Sequence, residues 1–424
     1  MNSILRLGLV AAEPSGDRLG AGVVDALRGK GVSLDLVGIG GPELINRGLN
    51  SRCDIHDLSM MGIDDVFRKL PKAFNVRRKL LGDLIAHPPH VFLGIDAPDF
   101  NLSLERKLKI AGHPTLHLVS PTVWAWRQYR VRKIRKAVDR MLVLFPFEET
   151  FYSARGVPAT FVGHPAAAEM KLVDKHSARA QLGFQSTQKI VAVLPGSRES
   201  EIRGLGEIFM ATIRRLSAAD PELEFVLPFA SSRVRKLFFE YIPQDQISPN
   251  VRMLDGQARL ALAASDVALL ASGTAALEAA LAGCPMVVAY RVSNMSYRLA
   301  RLLAKTKMVS MPNHLMDSPI VPEFLQHDAT PRNLMNAVRE LLDQPGRAET
   351  MRCALLKIQT QLDMDTNNLV ADEVLTAARG FQTWSLPVST RSEGDLWQAR
   401  SLQRQSSFQT KANCLILYSG TRSN

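Results

Sequence analysis

Cysteine is scarce. Cys53, Cys284, Cys353 and Cys414 are the only four in 424 residues, and no two share a C-x-x-C spacing. That excludes a disulfide framework and a cysteine-built zinc site, and it suits a reducing compartment. Aromatic residues make up only 6 % of the chain. No uncharged apolar run approaches the ~18 residues that a membrane-spanning helix needs. The best stretch, 261–290, is interrupted by Asp266 and Glu278. There is no Gly-Lys-Ser/Thr of a P-loop and no G-x-S-x-G nucleophile elbow. Metal-ligand spacings are equally poor: Asp363-Met364-Asp365 falls in a helical region, where a solvated helix face accounts for it. No metal is expected. The apolar start, Met1 to Ala12, contains Arg6 and runs into Glu13-Pro14-Ser15-Gly16-Asp17, so it reads as a first strand rather than a signal peptide.

What is present is core material. Hydrophobic residues are 46 % and charged residues 22 % of the chain, which rules out wholesale disorder. The length exceeds what one core usually supports and predicts two or three domains. A net charge of +11 favours an anionic partner: nucleic acid, phosphorylated metabolites or an anionic membrane. Short β-rich runs at 4–11, 32–38, 91–95, 115–119 and 141–145 each lead into a helical pattern. A second series follows at 190–194, 224–229, 267–271 and 286–290. Strands alternating with helices imply parallel sheets covered on both faces. The predicted fold is α/β, with two Rossmann-like domains of parallel sheet: 1–165, and 166–379 with its C-terminal helices. The linker is expected at about 163–189. Residues 380–424 are polar and aperiodic, and read as a mobile extension.

Two loops in the second half have the design of phosphate sites. The strand Ile190–Leu194 is followed by Pro195-Gly196-Ser197-Arg198 and a helix, so backbone N–H groups and a positive dipole end are expected there. Arg198 adds a planar fork for two phosphate oxygens. The strand Val267–Leu270 leads into Ala271, then Ser272, Gly273 and Thr274, which offer N–H and hydroxyl donors to a diphosphate. Glu278 lies one turn further on the Thr274 face, where it could accept from two ribose hydroxyls. Ala275 stands where a capping box would need Ser or Thr, so capping does not explain Glu278. Ordinary turns and helix caps are the plain alternative for both loops. In the first half, Val91–Ile95 ends in Asp96-Ala97-Pro98-Asp99-Phe100-Asn101. Carboxylates just past a parallel strand sit where open α/β sheets bind ligands, and one could serve as a general base. Glu13, Ser15 and Asp17 face the same rim. Gly38-Ile39-Gly40-Gly41-Pro42 fails as a dinucleotide fingerprint because Glu43 takes the third glycine's place.

These segments together resemble the lipid-A-disaccharide synthases, inverting glycosyltransferases of GT-B architecture, over about Leu7 to Ala378. The likeness is carried by 12–17, 37–42, Met61-Gly62-Ile63, 94–101, Ser120-Pro-Thr-Val-Trp-Ala-Trp-Arg127 and Val162-Gly-His-Pro165. It continues through 194–198, 271–278, Ser310-Met-Pro-Asn313 and Val321-Pro-Glu-Phe-Leu-Gln326. Ala12 departs from it, since glycine is usual there. The resemblance implies a cleft between the two domains and a reaction. The 6-hydroxyl of 2,3-diacylglucosamine 1-phosphate attacks C1 of UDP-2,3-diacylglucosamine, giving the β-1,6-linked lipid A disaccharide 1-phosphate and UDP, in lipopolysaccharide biosynthesis. It implies UDP on the second domain, at Arg198, Glu278, Asn313 and Gln326 with Ser197 and the 272–274 loop. It makes Asp96 the base and places Glu13, Ser15 and Asp17 in the cleft. UDP is donor moiety and product, and no cofactor is implied. Intertwined dimers in the family leave a homodimer open.

Two segments hold much of the positive charge: 127–136, and 60–81, where bulky apolar residues alternate with Arg and Lys. A basic amphipathic stretch of that kind can lie on an anionic bilayer, against the plainer reading of two solvated helices. With acylated substrates implied, membrane contact is expected at Met60, Met61, Val66, Phe67, Arg68, Lys69, Phe74, Arg77 and Arg78. The expected location is the cytoplasm, at the inner face of the cytoplasmic membrane. No nucleic-acid motif appears, so no nucleic-acid partner is expected. Three other readings stay open: a UDP-N-acetylhexosamine transferase or epimerase, a basic nucleic-acid-binding protein, and an inactive lipid-binding homologue.

Overall fold

The computed structural model describes residues 4–53, 66–171, 173–292, 297, 308–316 and 318–380, the side chains of 66–73 excepted. Met60, Met61 and the tail beyond 380 lie outside the described residues. The first sheet has seven strands: β1 Leu5–Ala11, β2 Leu34–Ile39, β3 Asn50–Ser51, β4 Val91–Ile95, β5 Thr115–Leu118, β6 Arg140–Val143 and β7 Ala159–Phe161. Their order is β3-β2-β1-β4-β5-β6-β7, and every pair is parallel. The second sheet has β8 Ile190–Leu194, β9 Glu224–Phe229, β10 Val251–Asp255, β11 Val267–Ala271, β12 Met286–Tyr290 and β13 Glu323–Leu325. Its order is β10-β9-β8-β11-β12-β13, again all parallel.

Helices cover both sheets. Those on the first are α1 Pro14–Gly29, α2 Pro42–Ile45, α3 Val66–Ala86, α4 Pro98–Ile110, α5 Val131–Ala137 and α6 Pro146–Ser153. With the second come α7 Pro165–Lys171, α8 Lys175–Gln181, α9 Glu199–Ala219, α10 Ser232–Tyr241, α11 Ala258–Ala264, α12 Thr274–Leu281 and α13 Met311–Leu315. Three long helices close the described chain: α14 Pro331–Asp343, α15 Pro345–Leu362 and α16 Thr366–Arg379. Many begin with proline, whose missing N–H costs nothing in a first turn. The central strands β4, β8 and β11 are buried at every residue. That is why they show as continuous apolar runs in the sequence. No described helix is long and apolar enough to cross a membrane.

The chain crosses between the sheets twice, at 162–165 and 363–365, and the crossings are stitched together. His164 N–H donates to Leu362 O at 3.0 Å. Gly163 has φ +79°, and a Cβ there would come within 2.5 Å of Met364 Cβ, so only glycine fits. Asp363 and Asp365 are not on a helix face, as the sequence suggests. Asp365 caps α16 by accepting from Asn368 N–H, and Asp363 pairs with Lys171 at 2.8 Å. Helix α16 falls in the 166–379 span grouped by sequence with the second sheet, but it packs on α1 of the first. Asp372 holds Lys30 at 2.9 Å, and Glu373 accepts from the Thr160 hydroxyl at 2.9 Å.

Candidate active site

Register places the candidate loops side by side. Ala11 pairs with Ile95, and Ile95 with Leu118, so the loops after β1, β4 and β5 leave the first sheet at one edge. On the second sheet Leu194 pairs with Leu270, which brings 195–198 next to 271–274. Between the sheets lies a cavity of about 790 Å³ walled by both. Ser15, Asp96 and His164 line it from one side, and Arg259, Thr274 and Glu278 from the other. Of the sequence candidates, Ser15, Asp96, Thr274 and Glu278 therefore share one space.

Asp96 is held by an uncommon backbone. Both Asp96 and Ala97 are left-handed, with φ 52° and 44°, a costly arrangement for residues with a Cβ. The buried Asn101 amide clamps it, donating to Asp96 O at 2.8 Å and Ile95 O at 3.3 Å. One turn on, fully buried Glu105 meets His117 at 2.6 Å under the same strand ends. Among the described residues, no hydrogen bond or ion pair ties the Asp96 carboxylate. Glu13 does not line the cavity, but it precedes Pro14, which does, and burial and then the Asp96 charge raise its pKa. Two carboxylates sharing an edge in this way suit proton transfer.

Asp17 is a correction. It is only 2 % exposed, and its carboxylate accepts Gly41 N–H at 2.8 Å, Glu43 N–H at 3.0 Å and Leu44 N–H at 3.2 Å. It caps α2 from inside the protein and offers the cleft nothing. The same bonds fill the donors of the loop that looks like a dinucleotide fingerprint. Asn313 and Gln326 also spend their amides on neighbouring groups. Buried Asn313 gives its amide to Val321 O and Glu323 Oε1, and its oxygen takes Ile320 and Val321 N–H. Gln326 pairs both ends of its amide with the Val292 backbone. Glu323 also accepts from Ser310. The 310–313 and 321–326 motifs thus clasp each other and support β12 and β13.

The second-sheet loops also differ in detail. The N–H groups after β8 are not open: Glu201 Oε2 accepts Ser197 N–H at 2.9 Å and Arg198 N–H at 3.2 Å. Gly196 has φ +113°, and a Cβ there would meet the Glu201 side chain at 2.5 Å. The Arg198 side chain is 82 % exposed at this rim. Ser272 spends its hydroxyl on Val309 O, while Gly273 and Thr274 stand exposed at the start of α12. Glu278 lies 3.5 Å from Arg259, which also pairs with Glu169.

The sequence reading missed Arg259, Glu201 and His164. Burial, then the Arg259 charge, pushes the His164 imidazole down to about 4, so it is neutral at ordinary pH. Its Nδ1 accepts Ala166 N–H at 3.2 Å, which leaves the ring proton on Nε2. Only the Gly-His-Pro segment hinted at it. Of the membrane-contact candidates, Val66, Phe67, Arg68 and Lys69 lie in the first turn of α3. Phe74 is exposed, and Arg77 sits 5.5 Å over its ring. Arg78 follows on the same helix. Leu80 and Leu84 turn the other face of α3 into the core. Among the described residues, no group of three or more His, Cys, Asp or Glu could hold a metal ion.

Two parallel sheets facing each other across a cleft, with helix starts at the rim of the second, are the GT-B architecture of glycosyltransferases and sugar-nucleotide epimerases. Solved structures share it at low identity. A UDP-GlcNAc 2-epimerase from Neisseria meningitidis bound to UDP-GlcNAc matches with TM-score 0.58 and 13 % identity, over 89 % of this chain and 99 % of that one. The glycotransferase of kitacinnamycin matches with TM-score 0.57 and 17 % identity, over 91 % and 100 %. Within that architecture the chain belongs to the lipid-A-disaccharide synthetase family, whose profile matches residues 7–375. The lipid-A-disaccharide synthase of Alkalilimnicola ehrlichii is 44 % identical over 89 % of this chain and 99 % of its own length. That of Pseudomonas aeruginosa strain UCBPP-PA14 is 47 % identical over 80 % and 90 %.

Proposed function

We propose that this chain joins UDP-2,3-diacylglucosamine to 2,3-diacylglucosamine 1-phosphate, releasing UDP and the β-1,6-linked tetraacyl disaccharide 1-phosphate. The observation that carries it is the shared cleft, with a carboxylate on the first sheet facing a helix start on the second. Asp96 takes the proton from the acceptor 6-hydroxyl as its oxygen attacks C1 of the donor. The C1–O bond to the diphosphate breaks on the opposite face, so the anomeric centre inverts in one displacement. The charge gathering on UDP meets Arg198 and the N-terminal ends of α9 and α12, fixed dipoles that need no reorganisation. No metal or cofactor enters this scheme. Glu278, once released by Arg259, serves the ribose hydroxyls. His164 Nε2–H is a neutral donor inside the cleft.

Both substrates carry fatty chains, so an apolar and basic surface next to the cleft has a purpose. Phe74, Arg77 and Arg78 on α3 and the cations of 127–136 supply it for an anionic bilayer at the inner face of the membrane. The test is incubation with both acylated sugars and mass spectrometry for the tetraacyl disaccharide phosphate. Arg198→Ala should weaken UDP binding. Equally efficient turnover of soluble UDP-N-acetylglucosamine would overturn this reading in favour of an epimerase-like enzyme.

A further inference from the structure

Beside Asp96 lies a smaller cavity of about 290 Å³. Among the described residues its wall comes wholly from the side of the first sheet, with Asp96, Ser120, Thr122, Trp126, Arg127 and Arg130 among them. Asp96 is thus shared by two spaces, the large cleft and this one. The small cavity carries two guanidinium groups, and neither is committed to a rigid internal partner. Arg127 lies 4.1 Å above the Trp126 ring. Its backbone is left-handed, with φ 55°, a cost that an ordinary surface arginine has no reason to bear. Arg130 is four-fifths buried, and one nitrogen of its fork, Nη2, meets Asp99 Oδ1, whose own side chain is 88 % exposed. A carboxylate so open to water can rotate away and give place to another anion.

We propose that this cavity seats the phosphate monoester of the sugar acceptor, held by Arg127 and Arg130. The inference rests on the transferase reading above and adds the acceptor's place to it. The donor's diphosphate is assigned to the helix starts of the second sheet, and among the described residues none of that sheet reaches this wall. A planar guanidinium pair suits a phosphate dianion better than a neutral sugar. A phosphate here puts the rest of its own sugar against Asp96, where the acceptor hydroxyl must lose its proton. The rim provides for the acyl chains. Trp126 is 40 %, Phe74 54 % and Tyr129 67 % exposed. Arg77 joins Phe74 to this rim, because it also covers Phe100 at 5.9 Å and donates to Asp99 O at 3.4 Å.

The experiment compares 2,3-diacylglucosamine 1-phosphate with the same acceptor lacking its phosphate, in the full chain. The wild type should prefer the phosphorylated acceptor by about 100-fold in kcat/KM, the scale of two charge-assisted hydrogen bonds. Arg127→Ala with Arg130→Gln should bring that ratio below about fivefold, and Arg127→Lys should keep part of it. Equilibrium binding of the two acceptors gives the same comparison without turnover. A wild type that makes no disaccharide yet still discriminates in binding would overturn the transferase reading and keep the phosphate seat. A ratio unchanged in variants that melt like the wild type would overturn the seat alone. Should the double variant not fold, the single Arg127→Ala change at its exposed position decides in the same way.

Discussion

Glu201 holds Arg198 at both ends: its Oε2 accepts the Arg198 backbone N–H at 3.2 Å, and its Oε1 lies 3.6 Å from the guanidinium. An acidic side chain thus sits on the turn that the proposed function gives to a phosphate, and on that reading an incoming diphosphate displaces it. Glu201→Gln keeps an acceptor for the helix start but removes the competing charge. UDP should then bind about tenfold more tightly, at the cost of about 1 kcal/mol of helix capping. Calorimetric titration with UDP measures it. Weaker binding would mean that Glu201 helps the nucleotide instead of standing in for it.

In the proposed reaction Asp96 is the base, and Asn101 holds its backbone in place. Asp96→Asn preserves shape and removes the base, so kcat should fall by about 10²–10⁴ while the UDP dissociation constant stays put. Asn101→Ala releases the two left-handed residues from their clamp. It should lower kcat as well, and cost about 1–3 kcal/mol of stability from the bonds lost to Ile95 O and Asp96 O. Near-normal turnover by Asp96→Asn would send the search for the base to Glu13.

Asp17 belongs to the fold and not to the ligand. Its carboxylate satisfies three N–H groups of the β2–α2 turn, two of them buried. Asp17→Ala should therefore cost about 3 kcal/mol or more in denaturant unfolding. UDP affinity of the folded protein should change by no more than about twofold, since the nucleotide is assigned to the other sheet. A variant with wild-type stability and poor substrate binding would restore Asp17 to the cleft.

How far the sequence was legible follows from where residues sit. The nine central strands were readable because burial on both faces writes an uninterrupted apolar run. The four it missed are β3, β7, β10 and β13, the edge strand at each side of each sheet. Short and half covered, as β7 and β13 show with no fully buried residue, they leave no such run. The loops carrying Ser15, Asp96, Thr274 and Glu278 were legible because chemistry after a parallel strand has few other places to go. Asp17, Asn313 and Gln326 carried the same motif signal, yet hold backbone together. A motif records that a residue type is needed, and only geometry distinguishes a ligand's partner from the loop's. His164 and Arg259 could not be found from spacing, because the histidine lies at one sheet crossing and the arginine on a helix of the second sheet. Only the closed cleft makes them neighbours.

Glu148 on α6 is 2 % exposed and accepts the Phe145 N–H at 3.3 Å. Burial pushes its pKa from 4.5 up to about 8, against the smaller opposing effect of the Ser120 hydroxyl. The folded protein thus binds this proton more tightly than the unfolded chain does. Its contribution is complete below about pH 4.5 and is lost as pH rises through about 8. Thermal unfolding should therefore show wild-type stability falling across that window relative to Glu148→Gln, whose amide never ionises. Because Ser120 also bonds Tyr152 at 2.9 Å and walls the small cavity beside Asp96, ionised Glu148 should draw the Ser120 hydroxyl toward itself and away from Tyr152, disturbing that wall. Acceptor KM should then climb above pH 8 in the wild type and stay level in Glu148→Gln. Parallel stability curves for the two proteins would show that Glu148 is already ionised at neutral pH, with charge compensation that these contacts do not supply.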